Sequence, residues 1–110
     1  MRLYQMQDSG NCYKVRLAAH QLGHSLELAD IDRLKGERRT EDFLARNPTG
    51  RVLALELDNG VTLAESNPTI FYLEEGTPLL SSDRLERARA LQWMFFGQYS
   101  HEPYIAVARF

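Results

Sequence analysis

Between Asn47 and Leu73 the chain commits to more local geometry than anywhere else along its length. Asp58-Asn59-Gly60 separates two β-rich runs, Val52 to Leu57 and Val61 to Leu63. Asn and Gly tolerate the positive φ that hairpin turns require, so this stretch reads as strand, tight turn, strand. Glu65-Ser66 follows, and then a helical pattern with Ile70 and Leu73 on its apolar side. Ser66 is expected to cap that helix by accepting hydrogen bonds from its first backbone N–H groups. A helix N-terminus carries free N–H groups and a positive dipole end, which suits a carboxylate. Glu65 beside it offers an acceptor for an ammonium. The pair therefore suits an amino-acid head group, which holds both charges on one carbon.

The rest of the chain has to build a fold around this stretch with 110 residues, enough for one compact domain and little more. A hydrophobic fraction of 44% and a charged fraction of 25% are ordinary for a globular protein. The net charge of −2 argues against a general nucleic-acid binder or a membrane-surface binder. No apolar run approaches the ~18 residues of a membrane-spanning helix. Met1-Arg2 leads directly into a strand-like run, without an apolar signal segment. The single cysteine, Cys12, has no intrachain partner, and the reducing cytoplasm is the simplest location.

In chain order, Arg2 to Met6 is β-compatible and Asp8-Ser9-Gly10-Asn11 is a turn cluster. Val15, Ala18, Ala19 and Leu22 then recur at helical spacing, with Gly23 as a stop. Leu26 to Ile31 alternates and reads as a second strand, completing the spacing of a βαβ unit. Arg33 to Arg46 is a charged stretch in which Thr40 caps a short helix holding Phe43 and Leu44; Asn47-Pro48 ends it. The hairpin and a third helix close near Gly76-Thr77-Pro78. The first ~80 residues thus read β-α-β-α-β-β-α, an α/β arrangement with a mixed sheet. Leu79 to Ser82 is linker-like. Asp83 or Ser82 caps a last helix with Leu85, Ala88, Leu91, Phe95 and Tyr99 at helical spacing, and Pro103 is expected to kink or restart it.

Three dispersed motifs in this order resemble the cytosolic glutathione transferases. They are Ser9 to Arg16 after the first strand, Asn47 to Val52, and Glu65-Ser66 with Tyr72-Leu73 in the helix that follows. The resemblance is to the bacterial, serine-using, theta-like members. It implies a thioredoxin-like glutathione-binding domain over residues 1–78, with a mixed four-stranded sheet, and a linker at 79–82. Residues 83–110 then match the first helix of an all-helical second domain, so the chain reads as a truncated member or a fragment.

The implied chemistry is attack by the glutathione sulfur on a small electrophile, in a detoxifying transferase. A free thiol is only a few per cent ionised at neutral pH, so the protein must stabilise the thiolate. By resemblance Ser9 is the hydroxyl donor to the sulfur, and Asn11 shares the role through its carboxamide. Cys12 is the alternate, as a residue that forms a mixed disulfide with glutathione. Tyr4, inside the first strand, is expected to pack, and Tyr13 ranks behind Ser9. For binding, the resemblance assigns Ser66 to the γ-glutamyl carboxylate, Glu65 to its ammonium and the Val52 backbone to the cysteinyl part. Arg39, with Arg51 and Arg38 as alternates, meets the glycyl carboxylate.

Two positions depart from the family pattern. Leu53 stands where a cis-proline is usual; cis bonds are disfavoured far more before other residues than before proline, so Val52–Leu53 is expected trans. Pro68 falls in the first helical turn, where its missing N–H costs nothing. His20, His24 and His101 show no ligand spacing, and no metal is assigned. The aromatic surface of Trp93, Phe95, Phe96 and Tyr99 implies a homodimer or higher assembly. Nucleic acid and membrane are not expected partners. The alternative to a transferase is a glutathione-binding or thiol-redox module without turnover, or an interaction domain that has lost the ligand.

Overall fold

Four short strands form one mixed sheet: β1 (Arg2–Gln5), β2 (Glu27–Asp30), β3 (Ala54–Glu56) and β4 (Thr62–Ala64), in the order β2-β1-β3-β4. The description rests on a computed structural model and covers residues 1–109. β1 pairs parallel to β2 and antiparallel to β3, and β3 pairs antiparallel to β4. The described residues fall into two compact units, Met1–Glu74 and the segment from Glu75 onward. The mixed sheet that the element order implied is present, and with its helices it forms the thioredoxin-like arrangement that the family resemblance implied.

β1 is the central strand and alternates between two buried faces. Leu3 and Gln5 point to one side, where α1 (Gly10–Gln21) and α3 (Ser66–Glu74) pack together. α1 buries Cys12, Val15, Ala18 and Ala19; Val15, Ala18 and Ala19 belong to the stripe expected from the sequence, while its fourth member, Leu22, is the half-buried C-cap, and α3 buries Thr69, Ile70 and Leu73. Tyr4 points to the other side and packs edge-on against Phe43 of α2 (Glu41–Arg46), with ring centroids 6.1 Å apart, beside Ala54.

Local chemistry explains the element boundaries. Gly23 takes a φ of 74°, so the backbone can turn back on α1. His24 N–H then donates to the Ala19 carbonyl and Gly23 N–H to that of His20, the paired closure of a Schellman motif. Thr40 caps α2 by accepting from Phe43 N–H at 3.3 Å. In the hairpin only Gly60 adopts positive φ. The Gly60 N–H closes a turn onto the Leu57 carbonyl, and the Asn59 side chain accepts from Val61 N–H instead of its backbone going left-handed.

In the second unit, Asp83 caps α4 (Arg84–Phe96) through its carboxylate, which accepts from Glu86 N–H at 3.0 Å. Pro103 neither ends nor restarts this helix. The chain runs on from Gly97 to Ala106 as a wider π-helical stretch containing Pro103, then tightens to a 3₁₀ turn at Val107–Arg109. A proline inside an α-helix removes an N–H and crowds the carbonyl four residues back; the wider spiral relieves that crowding. Trp93, Phe95, Phe96 and Tyr99 are exposed. No described helix is long and apolar enough to cross a membrane.

Candidate functional site

The strand register brings one end of the sheet together from three separated stretches. Tyr4, near the C-terminal end of β1, pairs with Ala54 at the start of β3, and Ala54 pairs with Ala64 at the end of β4. The loop after β1, the loop before β3 and the loop after β4 therefore meet at the same edge. These loops carry Ser9-Asn11, Val52-Leu53 and Glu65-Ser66. Both α1 and α3 begin there, so two helix N-termini with their positive dipole ends converge on one place.

Ser9 is the N-cap of α1. Its Oγ accepts from Cys12 N–H at 3.3 Å, and a hydroxyl that accepts still carries a hydrogen it can donate. Asn11, one turn into the site, accepts a hydrogen bond from the Ser66 hydroxyl at 3.3 Å. This contact spans 55 residues of sequence and joins the first motif to the third. A second bridge lies beside it, from Lys14 Nζ to the Asn67 carboxamide at 2.9 Å. Cys12, directly after Asn11, is fully buried. Tyr13 is exposed, and Tyr4 donates its hydroxyl to Glu56 at 2.9 Å.

Ser66 does not cap α3 as expected; it is the first residue of the helix. The reason is Glu65, whose φ of 70° is left-handed, the one such value among described non-glycine residues. That conformation costs on the order of 1–3 kcal/mol and persists only when its surroundings hold it. Thr69 supplies the hold: its N–H and its hydroxyl both donate to the Glu65 carbonyl, at 3.2 and 2.7 Å. The left-handed turn starts the helix one residue early and swings the Ser66 hydroxyl onto Asn11. Thr69 is fully buried and escaped the sequence reading; its only signal was a Thr four residues after a Glu at a helix start.

The loop before β3 is built around Asn47, which is 1% exposed. Its carboxamide nitrogen donates to the Arg51 carbonyl at 2.6 Å. Its oxygen accepts from the Thr49 N–H at 3.2 Å and the Thr49 hydroxyl at 2.8 Å. The sequence marked Asn47 as a helix stop; its oxygen bonding two residues ahead is an Asx turn, a signal that Asn-x-Thr did carry. The expectation of a trans Val52–Leu53 bond is corrected: the bond is cis. The Asn47 carboxamide bonds the Arg51 carbonyl on one side of it, and the Leu53 side chain is buried on the other. Gly50 has a φ of 62°, and a Cβ there would lie 3.3 Å from the Arg38 carbonyl oxygen. Arg39 and Arg51 therefore flank one backbone contact; both are exposed and in no ion pair among the described residues.

On the opposite face of the sheet, Glu56 is held below the usual carboxylate range, first by the Tyr4 hydroxyl and then by Arg46. Arg46 is held above the usual guanidinium range by Asp42 and then Glu56, and its guanidinium lies over the Tyr4 ring. This network ties α2 to β1 and β3 and engages the Tyr4 hydroxyl away from the candidate site.

The family model for the glutathione S-transferase N-terminal domain matches residues 3–80. The chain belongs to the glutathione S-transferase family. Maleylacetoacetate isomerase of Pseudomonas aeruginosa is 43% identical over 94 residues, covering 81% of this chain and 44% of that protein. The crystal structure of a glutathione S-transferase from Pseudomonas fluorescens superposes with a TM-score of 0.96 at 49% identity, over 99% of this chain and 54% of that one. Ure2p in complex with glutathione superposes with a TM-score of 0.89 at 28% identity, over 96% of this chain and 47% of its own. The chain thus spans about half the length of the relatives it matches.

Proposed function

We propose that this chain is the glutathione-binding part of a glutathione transferase, which conjugates the glutathione thiolate to an electrophilic small molecule. The observation that carries the reading is the convergence of Ser9, Asn11, Val52, Leu53, Glu65 and Ser66 on one sheet edge at two helix N-termini, with the Ser66–Asn11 hydrogen bond linking the motifs. The glutathione γ-glutamyl carboxylate takes the N-terminus of α3 and the Ser66 hydroxyl, which turns from Asn11 to donate to it. Glu65 receives the ammonium. The Val52 backbone pairs with the cysteinyl unit, and Arg39 or Arg51 meets the glycyl carboxylate through a forked bond.

Ser9 donates its hydrogen to the sulfur, lowering the thiol pKa, and Asn11 adds a second donor. The thiol proton leaves to solvent. The sulfur lone pair then forms the S–C bond as the electrophile releases its leaving group or, in an addition, takes up a proton. Full burial of Cys12 favours Ser9 over it as the thiol partner. In this reading residues 1–78 form the glutathione domain, 79–82 a linker and 83–110 the opening of a helical domain. The exposed Trp93, Phe95 and Phe96 of α4 support a homodimer, and the lone cysteine fits a cytoplasmic location.

The likeness to Ure2p in complex with glutathione supports binding and is silent on conjugation, which leaves glutathione binding without turnover as the second reading. Ser9→Ala tests the choice. A hydrogen bond to a charged group contributes about 1.5–3 kcal/mol, so the bound thiol pKa should rise by roughly one to two units with little loss of glutathione affinity. An unchanged thiol pKa in a variant that still binds glutathione would remove Ser9 from the mechanism.

A further inference from the structure

The loop that carries Ser9 is held by a closed ring of side chains that the proposed chemistry does not use. Gln5, the last residue of β1, is 1% exposed, an unusual place for a carboxamide unless both of its ends are bonded. Its nitrogen donates to Asp30 Oδ1 at 2.7 Å, at the end of β2. Its oxygen accepts from Arg16 Nη1, from the second turn of α1. The other guanidinium nitrogen of Arg16 reaches the Gln7 carbonyl at 3.5 Å, and the Gln7 side chain donates to Asp30 Oδ2 at 3.2 Å. Arg16, Gln5, Asp30 and Gln7 thus close a circuit that joins α1, β1 and β2 to the loop. Gln7 lies two residues before Ser9, and Ser9 N–H itself donates back to the Met6 carbonyl at 3.2 Å.

We propose that Arg16 is a positioning residue for Ser9, fixing the loop between β1 and α1 through Gln5, Asp30 and Gln7. The inference rests on the reading of Ser9 as the thiolate donor. A hydroxyl is a useful donor only if its oxygen is held within a few tenths of an ångström of the sulfur's position; the Cys12 N–H ties the Ser9 oxygen to α1, and the ring fixes the loop that leads into it. Arg16 suits the task because its planar fork serves two acceptors at once, a side-chain oxygen and a main-chain oxygen. Lysine keeps the charge and loses the fork. On the outward side the guanidinium lies over the Tyr13 ring at 5.8 Å, which limits its swing.

The test compares the parent, Arg16→Lys, Gln7→Ala and Ser9→Ala, with glutathione as the probe. Gln7 is exposed, so its variant keeps the fold even where a change at Arg16 does not. Three readouts are taken: glutathione affinity by calorimetry, bound thiol pKa from thiolate absorbance, and amide hydrogen exchange. The expected result in Arg16→Lys and Gln7→Ala is affinity within about twofold of the parent, bound thiolate reduced several-fold at neutral pH, and faster exchange confined to residues 6–12. A purely structural role would lower stability and leave the thiol pKa of the folded fraction where it was. Parental thiol pKa in folded, glutathione-binding variants overturns the inference. A parent that binds no glutathione overturns the underlying function; exchange then decides the positioning claim, which parental protection across residues 6–12 in both variants overturns.

Discussion

Replacing Asn47 by alanine should unfold the loop before β3 more than its sequence position suggests. The side chain is 1% exposed and takes part in three hydrogen bonds, at 2.6, 2.8 and 3.2 Å, to Arg51 and Thr49. Each intramolecular bond contributes about 0.5–1.5 kcal/mol net, so the three together set an upper limit of about 4.5 kcal/mol. Thr49 and Arg51 are exposed and regain water partners, which reduces the expected loss to roughly 2–3 kcal/mol. At about 4–8 °C per kcal/mol for a small domain, the Tm should fall by roughly 10–20 °C. Urea denaturation should show a lower midpoint with an unchanged slope. Asn47→Asp sharpens the test. It keeps the acceptor for Thr49 and sets a carboxylate oxygen where a donor faced the Arg51 carbonyl. Its folded-state pKa is therefore raised, and its deficit should shrink as pH falls through that value, when protonation restores a donor. An Asn47→Ala loss below about 0.5 kcal/mol, the range of an ordinary surface substitution, would refute the clamp.

Other perturbations follow from the same geometry. Glu56 has a depressed pKa, so its contribution to stability is present above the ordinary carboxylate range and lost as pH falls through the folded value; Tyr4→Phe should flatten the acid limb of a stability–pH profile measured by urea unfolding. Burial raises the pKa of Glu74, so its charged form opposes folding at neutral pH; Glu74→Gln should raise the urea midpoint near pH 7, with the gain vanishing once the carboxyl is protonated in both states. Gly50→Ala places a Cβ 3.3 Å from both the Arg38 carbonyl oxygen and Leu44 Cδ2, at a φ of 62°, and should cost about 1–2 kcal/mol in the same assay.

The parts of this fold that were legible in the sequence are those decided by neighbours along the chain. The hairpin at Asp58-Asn59-Gly60, the caps Thr40 and Asp83 and the stop at Gly23 each depend on residues within about five positions. The buried Val15, Ala18 and Ala19 follow from helical period. What escaped was polar burial. Gln5, Asn47 and Thr69 look like surface residues by type; Gln5 is satisfied by Asp30 and Arg16, which the fold brings in, whereas Asn47 and Thr69 find partners within four residues, a signal present in Asn-x-Thr and in the Glu65–Thr69 spacing. Ser66 shows the same limit: its hydroxyl had a local use as a cap, and the left-handed Glu65 sent it to Asn11, 55 residues away. The cis Val52–Leu53 bond runs against the local preference for trans before a residue other than proline, which is all that the sequence around it offers. Pro103 was read by the rule for α-helices, and the chain took the π-helical spiral. The family motifs sample all three loops that the sheet register joins.

The central claim is a glutathione site at the sheet edge where α1 and α3 begin. The direct measurement is a glutathione titration of the chain followed by amide chemical shifts. Saturable shifts at millimolar or lower glutathione, concentrated at Ser9 to Cys12, Val52 to Leu53 and Glu65 to Asn67, are the predicted result. Absence of saturable shifts, or shifts centred away from those three segments, would contradict the account.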